Sequence, residues 1–444
     1  MKVKEHIIKI GNYIRHLRKE KGLSQQELAD GCCSQSFLSQ LEKGIYPSMP
    51  SLDILQGICN KLGLSVGELF SQIDIDRESL EVEVLLDLIQ VHIHRKEFEL
   101  AYEIIEELQK REDLLQEQRH KLALLLASCL IKTEEYDQAI ELLTQLQLSL
   151  EEEQHRDDHM LADVLNKLGN AYYFQNNRLN AYANYRRAFQ ITTLFPKPDL
   201  LAADISYNLG NVCKDLRFDA DARAHLENAK NIYEVISEKE GLASTLYYLG
   251  IVYKNIGDLS SASELFKKSR ILYESLEIYQ MAKLAQHLYA FYILSRDNAP
   301  LAIDELLKLA DEHRKDGDIS YEAFSYARAA FVSIQRQNFG DASELLKKAT
   351  ALEYEGKKED PKYAYLLQVS AEYHLLIKDI ERSIEDAFKS ADLFGKIEHD
   401  MEMATSLEIA VRAYQEKGMY KEGLVVSQRV IKVLRRYTDL SLLP

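Results

Sequence analysis

Gln35, Ser36, Ser39 and Gln40 put two amides and two hydroxyls on one side of a short helical pattern, with Leu38 and Leu41 on the other. A primary amide donates and accepts at once, so it can bond both edge groups of an adenine, and a hydroxyl serves either role. This chemistry suits base edges in a duplex major groove. Gln25, at the start of the preceding helix, would reach phosphates with nearby Arg18 and Lys19, and Lys43 joins the DNA-binding set. A second set recurs far downstream as Asn166/Asn170/Tyr173, Tyr207/Asn211/Lys214 and Tyr247/Ile251/Lys254, with Asn208 beside it. Here the amides can answer the carbonyl and N–H of an extended peptide without regard to its side chains. Asn is a poor interior helix residue, so its recurrence points away from a purely structural use. Lys214 and Lys254 could hold a ligand carboxylate.

Other chemistry is missing. No phosphate-binding glycine loop, nucleophile elbow or zinc-protease motif occurs, so neither an enzyme nor a cofactor is expected. His155 and His159 in "HRDDH" have metal-ligand spacing, but they lie in the acidic run "EEEQHRDDH", where solvated charge is the expected role and no metal is predicted. The adjacent thiols Cys32 and Cys33 could bridge only with backbone strain. They are expected to pack at a turn. Five cysteines, an odd number without a C-x-x-C, argue against a disulfide framework and for a reducing, cytoplasmic setting. No apolar run approaches the roughly twenty residues that span a membrane.

The first seventy residues read as five short helices. Ile10, Ile14 and Leu17 share a face of the first, which Gly22 stops. Ser24 and Glu27 form a capping box for the second. The third covers about 35–43 between Ser34 and Gly44. The fourth begins near Ser51 and turns Leu52, Leu55, Ile58 and Leu62 inward, and Ser65 with Glu68 caps the last. The second and third, joined by a tight turn at 31–34, make a helix-turn-helix with Leu28, Ala29, Leu38 and Leu41 between them.

Residues 1–70 carry nine Lys/Arg against seven acids, whereas the chain as a whole has a formal charge of −16. A mildly basic head on an acidic body suits only the head to polyanions. With 18 Gly, 7 Pro and no Trp in 444 residues, the composition favours helix throughout.

Beyond the head the chain repeats. "LGNAYYFQNN", "LGNVCKDLRF" and "LGIVYKNIGD" recur, each carrying a small residue followed by another twelve positions on. These pairs run Ala127/Ala139, Gly169/Ala181, Gly210/Ala222, Gly250/Ala262, Ala290/Ala302, Ala330/Ala342, Ala371/Ser383 and Val411/Gly423, at steps of 40 to 42 residues. Ile89/Ala101 adds a degenerate first unit. Small residues so placed let two antiparallel helices approach closely, the logic of the tetratricopeptide repeat (TPR) with longer helices. A third small position, as at Ala188, Ala229 and Ala349, is expected to face the next hairpin. The expected fold is all-α: a helix-turn-helix domain over 1–70, a linker over 71–80, and a right-handed TPR solenoid of about nine hairpins over 81–444 with a concave ligand surface. The first helix of each hairpin would line that surface. Between its polar stretches, His287/Phe291/Leu294 and Ala327/Phe331/Ile334 make it apolar, and Gln368/Glu372 and Glu408/Arg412 make it polar again.

The segment "LSQQELADGCCSQSFLSQLEKGIYPSMPSLDILQGICNKLGLSVGELF" resembles the phage-repressor-like (XRE-type) helix-turn-helix. Its turn, "ADGCCSQS", is one residue shorter than usual and is similar to that of the Rap–NprR–PlcR–PrgX family of peptide-pheromone regulators. With the forty-residue repeats behind it, the resemblance spans nearly the whole chain, though Trp and the usual closing Pro of the TPR are missing. It implies a cytoplasmic homodimer, or higher oligomer, that binds a double-stranded DNA operator and is switched by a short signalling oligopeptide in the repeat groove. The alternative it implies is capture of a response regulator by the repeats.

Overall fold

The computed structural model describes residues 2–45, 50, 52–66, 68–69, 77–152, 157–353, 356–397 and 399–440. Among the described residues the chain is helical without a strand. It forms two compact units, Met1–Asn184 and Tyr185–Pro444.

The head contains α1 (Lys2–Glu20), α2 (Gln25–Ala29), α3 (Gln35–Glu42) and α4 (Leu52–Leu62). Each boundary has a local cause. Gly22, Gly31, Gly44 and Gly63 take left-handed φ angles where helices stop. The Ser24 hydroxyl accepts from the Glu27 amide at 3.1 Å while the Glu27 carboxylate accepts from the Ser24 amide at 2.7 Å. Ser65 and Glu68 repeat the arrangement. Ile10, Ile14, Leu28, Leu38, Leu41, Leu55 and Ile58 form one fully buried core, and Leu17 packs partly buried against it. At Gly11 a Cβ would meet the Leu41 carbonyl oxygen at 1.9 Å, so only glycine lets α1 cross α3 this closely. Phe70 lies outside the described residues. So does most of the expected linker, whose last four residues are already helical because the next helix begins at Arg77.

Nine consecutive helix pairs follow among the described residues: α5 (Arg77–His94) with α6 (Phe98–Gln109), α7 (Gln116–Lys132) with α8 (Tyr136–Glu152), α9 (Asp158–Phe174) with α10 (Arg178–Thr192), α11 (Leu200–Asp215) with α12 (Asp219–Ile236), α13 (Lys239–Asn255) with α14 (Leu259–Ser275), α15 (Tyr279–Leu288) with α16 (Ala299–Lys315), α17 (Ile319–Gln335) with α18 (Phe339–Thr350), α19 (Pro361–Leu376) with α20 (Ile380–Lys396), and α21 (Asp400–Glu416) with α22 (Tyr420–Leu440). The repeat number matches the sequence period. A Cβ at Gly210 would meet Leu226 at 2.6 Å, and one at Gly250 would meet Phe266 at 2.5 Å. The small residue of the first helix therefore receives the large side chain one turn beyond the small residue of the second. The third small position meets both its own hairpin and the next: Ser269 Oγ donates to the Ala243 carbonyl at 2.9 Å and Ser390 Oγ to that of Ala364 at 2.7 Å, each within its own hairpin, while Ser390 Oγ also lies 2.8 Å from Ser406 Oγ of the following hairpin. A hydroxyl there reaches back across the close helix–helix contact that the small residues permit.

Acidic residues are partly spent on helix starts. Asp157, Asp199, Asp258 and Asp318 each accept a backbone N–H in the first turn of α9, α11, α14 and α17. Most hairpin turns close on a left-handed residue, such as Glu134, Arg217, Gly257 or Lys378. The pair beginning at α15 departs from this: its first helix continues as a π-helical stretch, Tyr289–Leu294, and a last turn, Ser295–Asp297. Pro300 and the Asn298 side chain, which accepts from the Leu301 amide at 3.2 Å, then start α16.

Candidate nucleic-acid interface and ligand surface

On α3, Gln35, Ser36 and Gln40 are exposed and Ser39 is half-buried, while Leu38 and Leu41 are sealed in the core. Lys19 and Lys43 are exposed as well. Arg18 and Gln25, expected to reach phosphates, are engaged inside the head. The Arg18 guanidinium donates to both carboxylate oxygens of Glu42, at 2.5 and 2.8 Å, and to the Leu23 carbonyl at 2.8 Å. The Gln25 amide donates to the same carboxylate at 2.7 Å. Burial opposes ionisation of Glu42, but the hydrogen bonds from Arg18 and Gln25 prevail and hold its carboxyl below the usual range. One buried carboxylate thus ties α1, α2 and α3 together and sets the angle of the exposed amide face. Lys61 of α4 donates to the Glu27 and Asp30 carbonyls at the end of α2.

The paired thiols sit beneath this arrangement. Both are half-buried and unbridged, Cys32 Sγ lies 2.8 Å from where a Cβ at Gly57 would stand, and burial pushes the Cys33 thiol up. These are packing features of a tight turn, and the raised thiol of Cys33 is unsuited to thiolate chemistry.

In the first unit, Asn166 is buried, whereas Asn170 lines a cavity of about 1040 Å³ with Gln90, Lys121, Lys132 and Lys167. The Tyr173 ring lies under the Arg178 guanidinium at 4.1 Å. His155 is outside the described residues, and Asp157 in the same run is a helix cap, which accounts for that acid without a metal. Among the described residues no group of three metal-ligating side chains converges.

In the second unit, Tyr207, Asn208 and Asn211 are half-buried on α11, and Tyr247 is half-buried on α13. The Tyr207 ring meets Tyr248 edge-on at 5.8 Å, and Tyr247 packs against Tyr248 and Phe266. Lys214 caps the Tyr248 ring at 4.8 Å, but its ammonium is already paired with Asp215 at 2.7 Å, so it is not held in reserve for a ligand. Lys254 stands over the Tyr292 ring at 4.5 Å. Burial, then the charges of Arg217 and Arg328, push its ammonium down. Sequence reasoning missed Tyr248, Tyr292 and Arg328. Tyr248 and Arg328 occupy the same repeat position as Asn208, one residue past the ruler positions, which is the signal that could have found them. Farther along, the polar positions answer one another: Arg412 pairs with Glu372, and Gln368 donates to Ser406 Oγ at 3.1 Å.

The apolar middle holds two fully buried histidines. His287 and His313 face each other Nε2 to Nε2 at 3.3 Å, with Ser325 Oγ 3.1 Å from His287 and Tyr321 stacked on His313. Burial, joined by Arg328 for His287 and by Lys283 for His313, pushes both rings down; Asp318 and Asp316 oppose the shift at His313, while Lys362 adds to it. The unfolded chain then binds more protons than the folded one as pH falls below about 6.5, the ordinary histidine value, so stability drops until the folded-state pKa values are passed. The denaturation midpoint of the second unit is expected to fall between pH 7.5 and 5.5. His287→Gln flattens that slope; an identical slope would place the titration elsewhere.

The helix-turn-helix family matches residues 14–69 and the tetratricopeptide repeat family matches residues 201–280. No curated protein matches the chain by sequence. Among solved structures, the apo form of RapI is 13% identical, covers 80% of this chain and 98% of its own, and has a TM-score of 0.62. The apo quorum sensor NprR from B. thuringiensis is 13% identical over 80% of this chain and 99% of its own, with a TM-score of 0.59. A Rap protein complexed with competence and sporulation factor is 13% identical over 81% and 99%, with a TM-score of 0.58. At these identities the likeness is one of fold. The chain is thus a helix-turn-helix protein carrying a tetratricopeptide-type array. In fold it is similar to these Rap proteins and to NprR. No helix among the described residues is long and apolar enough to cross a membrane.

Proposed function

We propose that this protein is a sequence-specific DNA-binding transcription regulator whose activity is switched by a short signalling peptide bound to its repeats, as in quorum sensing. The observation that carries the reading is the α3 face. Gln35, Ser36 and Gln40 stand exposed on a helix whose orientation is fixed from behind by the Arg18–Glu42–Gln25 cluster. Exposed amides on a rigid helix suit base-edge recognition, and Lys19 and Lys43 are the groups left for phosphate. We divide the chain into a DNA-binding head over 1–70, a linker over 71–80 and a ligand-binding array over 81–444. NprR, named above, also has a solved structure in complex with its cognate peptide, which supports a peptide as the ligand class here. Tyr420, Leu424, Val425 and Ile431 leave apolar surface exposed on α22 and support self-association as a homodimer. The setting assigned is the cytoplasm.

The test is selection of duplexes from a random library with the full-length protein at fixed salt. Enrichment of a sequence with two half-sites, bound about a thousandfold more tightly than scrambled duplex, is expected. Added signalling peptide should then change that affinity by at least about tenfold. No enrichment over non-specific binding, together with retention of a response regulator that peptide releases, would move the function to protein capture.

A further inference from the structure

Among the described residues, Arg328 of the second unit has no acid within ion-pair distance. Arg328 is only 7% exposed, and its Nε and Nη1 are buried and bonded to nothing among the described residues. Its guanidinium carbon lies 4.3 Å from the Phe324 ring centre, 4.8 Å from Phe291 and 5.9 Å from Tyr292. Rings answer part of the charge through their faces, but they offer no lone pair in the guanidinium plane. A buried charge left without a hydrogen-bonding partner is costly, and proteins ordinarily pair it.

Three further observations converge on the same place. Lys254 shares the Tyr292 ring with Arg328, so two cations stand about one aromatic ring; burial and the charges of Arg217 and Arg328 push the lysine down against the opposing influence of Asp219 and Glu402. The hydroxyl of Tyr365, whose ring packs on Phe324 and Phe291, is also buried without a partner among the described residues. Phe291 and Tyr292 belong to the π-helical stretch, a local irregularity that re-aims side chains and recurs at functional sites, and with Tyr365 they line a cavity of about 580 Å³, so these rings stand between the cavity and the two cations, which do not line it themselves.

We propose that Arg328, assisted by Lys254, is the receptor for a carboxylate of the bound peptide, and that an acidic or free C-terminal group of the ligand supplies the missing partner. This rests on the peptide reading above. A guanidinium matches a carboxylate bidentately, and the surrounding rings exclude water and strengthen the pair. The unpaired cation then favours peptides bearing that group over those without it, because an uncharged ligand would leave Arg328 buried and unanswered.

The test uses the full chain and random hexapeptide mixtures in three forms: free acid, C-terminal amide, and C-terminal amide lacking Asp and Glu. Retained peptides are identified by mass spectrometry and their affinities measured. The wild type is expected to retain the first mixture and to bind the third about a hundredfold more weakly. Loss already in the second form assigns the C-terminus, and loss only in the third assigns a side chain. Arg328→Met is expected to keep its helicity, melt no lower than the wild type without peptide, and lose about a hundredfold in affinity for the retained peptides. A merely structural arginine would instead lower the melting temperature and leave relative peptide affinities unchanged. If Arg328→Met does not fold, Arg328→Lys keeps the charge but loses the fork, and about a tenfold loss is expected. Equal affinity of wild type and variant overturns the receptor while the peptide reading stands. If the wild type retains no peptide in any form, that reading falls, and sodium acetate decides the receptor. Stabilisation of the wild type but not of Arg328→Met upholds it as an anion site, and equal responses overturn it.

Discussion

Replacing Gln35 and Gln40 together by Ala is expected to abolish sequence discrimination while leaving the head folded. Both side chains are exposed on α3, and the residues that hold this helix in the core, Leu38 and Leu41, are untouched. Alanine also has the better helix propensity. A bidentate amide–base contact contributes about 1–3 kcal/mol of discrimination, so losing two weakens specific binding by roughly 30-fold to 20,000-fold. Affinity for scrambled duplex should change little, because phosphate contacts from Lys19 and Lys43 remain. Fluorescence anisotropy against the selected operator and a scrambled duplex, at one salt concentration, measures the ratio. An unchanged ratio would remove recognition from α3.

Glu42→Ala carries the largest expected stability cost in the head. The substitution strands Arg18, 9% exposed, without its bidentate partner and releases the Gln25 amide. Breaking a buried pair from one side costs about 3–5 kcal/mol, a large part of a small domain's stability. Amide exchange in α1 and α3 of the full chain should accelerate by about two to three orders of magnitude, with the second unit unchanged. Protection equal to that of the wild type would show that Glu42 is not the link between these helices. Acid has a related effect of predictable sign. Because the folded state holds the Glu42 carboxyl below its ordinary value, its contribution is complete above the ordinary carboxylate range and disappears as pH falls through the lowered value. Acid therefore loosens α3 before it touches the apolar core.

Much of the architecture is written in short-range patterns. Ser24 with Glu27, and Ser65 with Glu68, are three residues apart, so their reciprocal bonds follow from local geometry. The forty-residue step of small residues specifies helix pairs, since at Gly210 and Gly250 any side chain would collide with Leu226 or Phe266. The amide face of α3 is equally local: three and four positions on a helix share a side, and Leu38 and Leu41 decide which side is buried.

Partners of charge were settled by tertiary structure. Arg18 looked like a phosphate contact because its sequence neighbours are basic, yet the carboxylate that engages it lies 24 residues away and is brought there by the crossing of α1 and α3 at Gly11. Lys214 and Lys254 looked equivalent at one repeat spacing, but Asp215 satisfies the first and the Tyr292 ring carries the second. Arg328 gave no signal in a chain with 55 Lys and Arg. Its importance arises because the π-helical turn and α17 bring Phe291, Tyr292 and Phe324 around it, with no acid in ion-pair reach among the described residues. Helical hydrogen bonds and caps act within a few residues and are encoded where they act. Desolvation of a charge depends on which distant elements exclude water from it, and only the folded chain determines that.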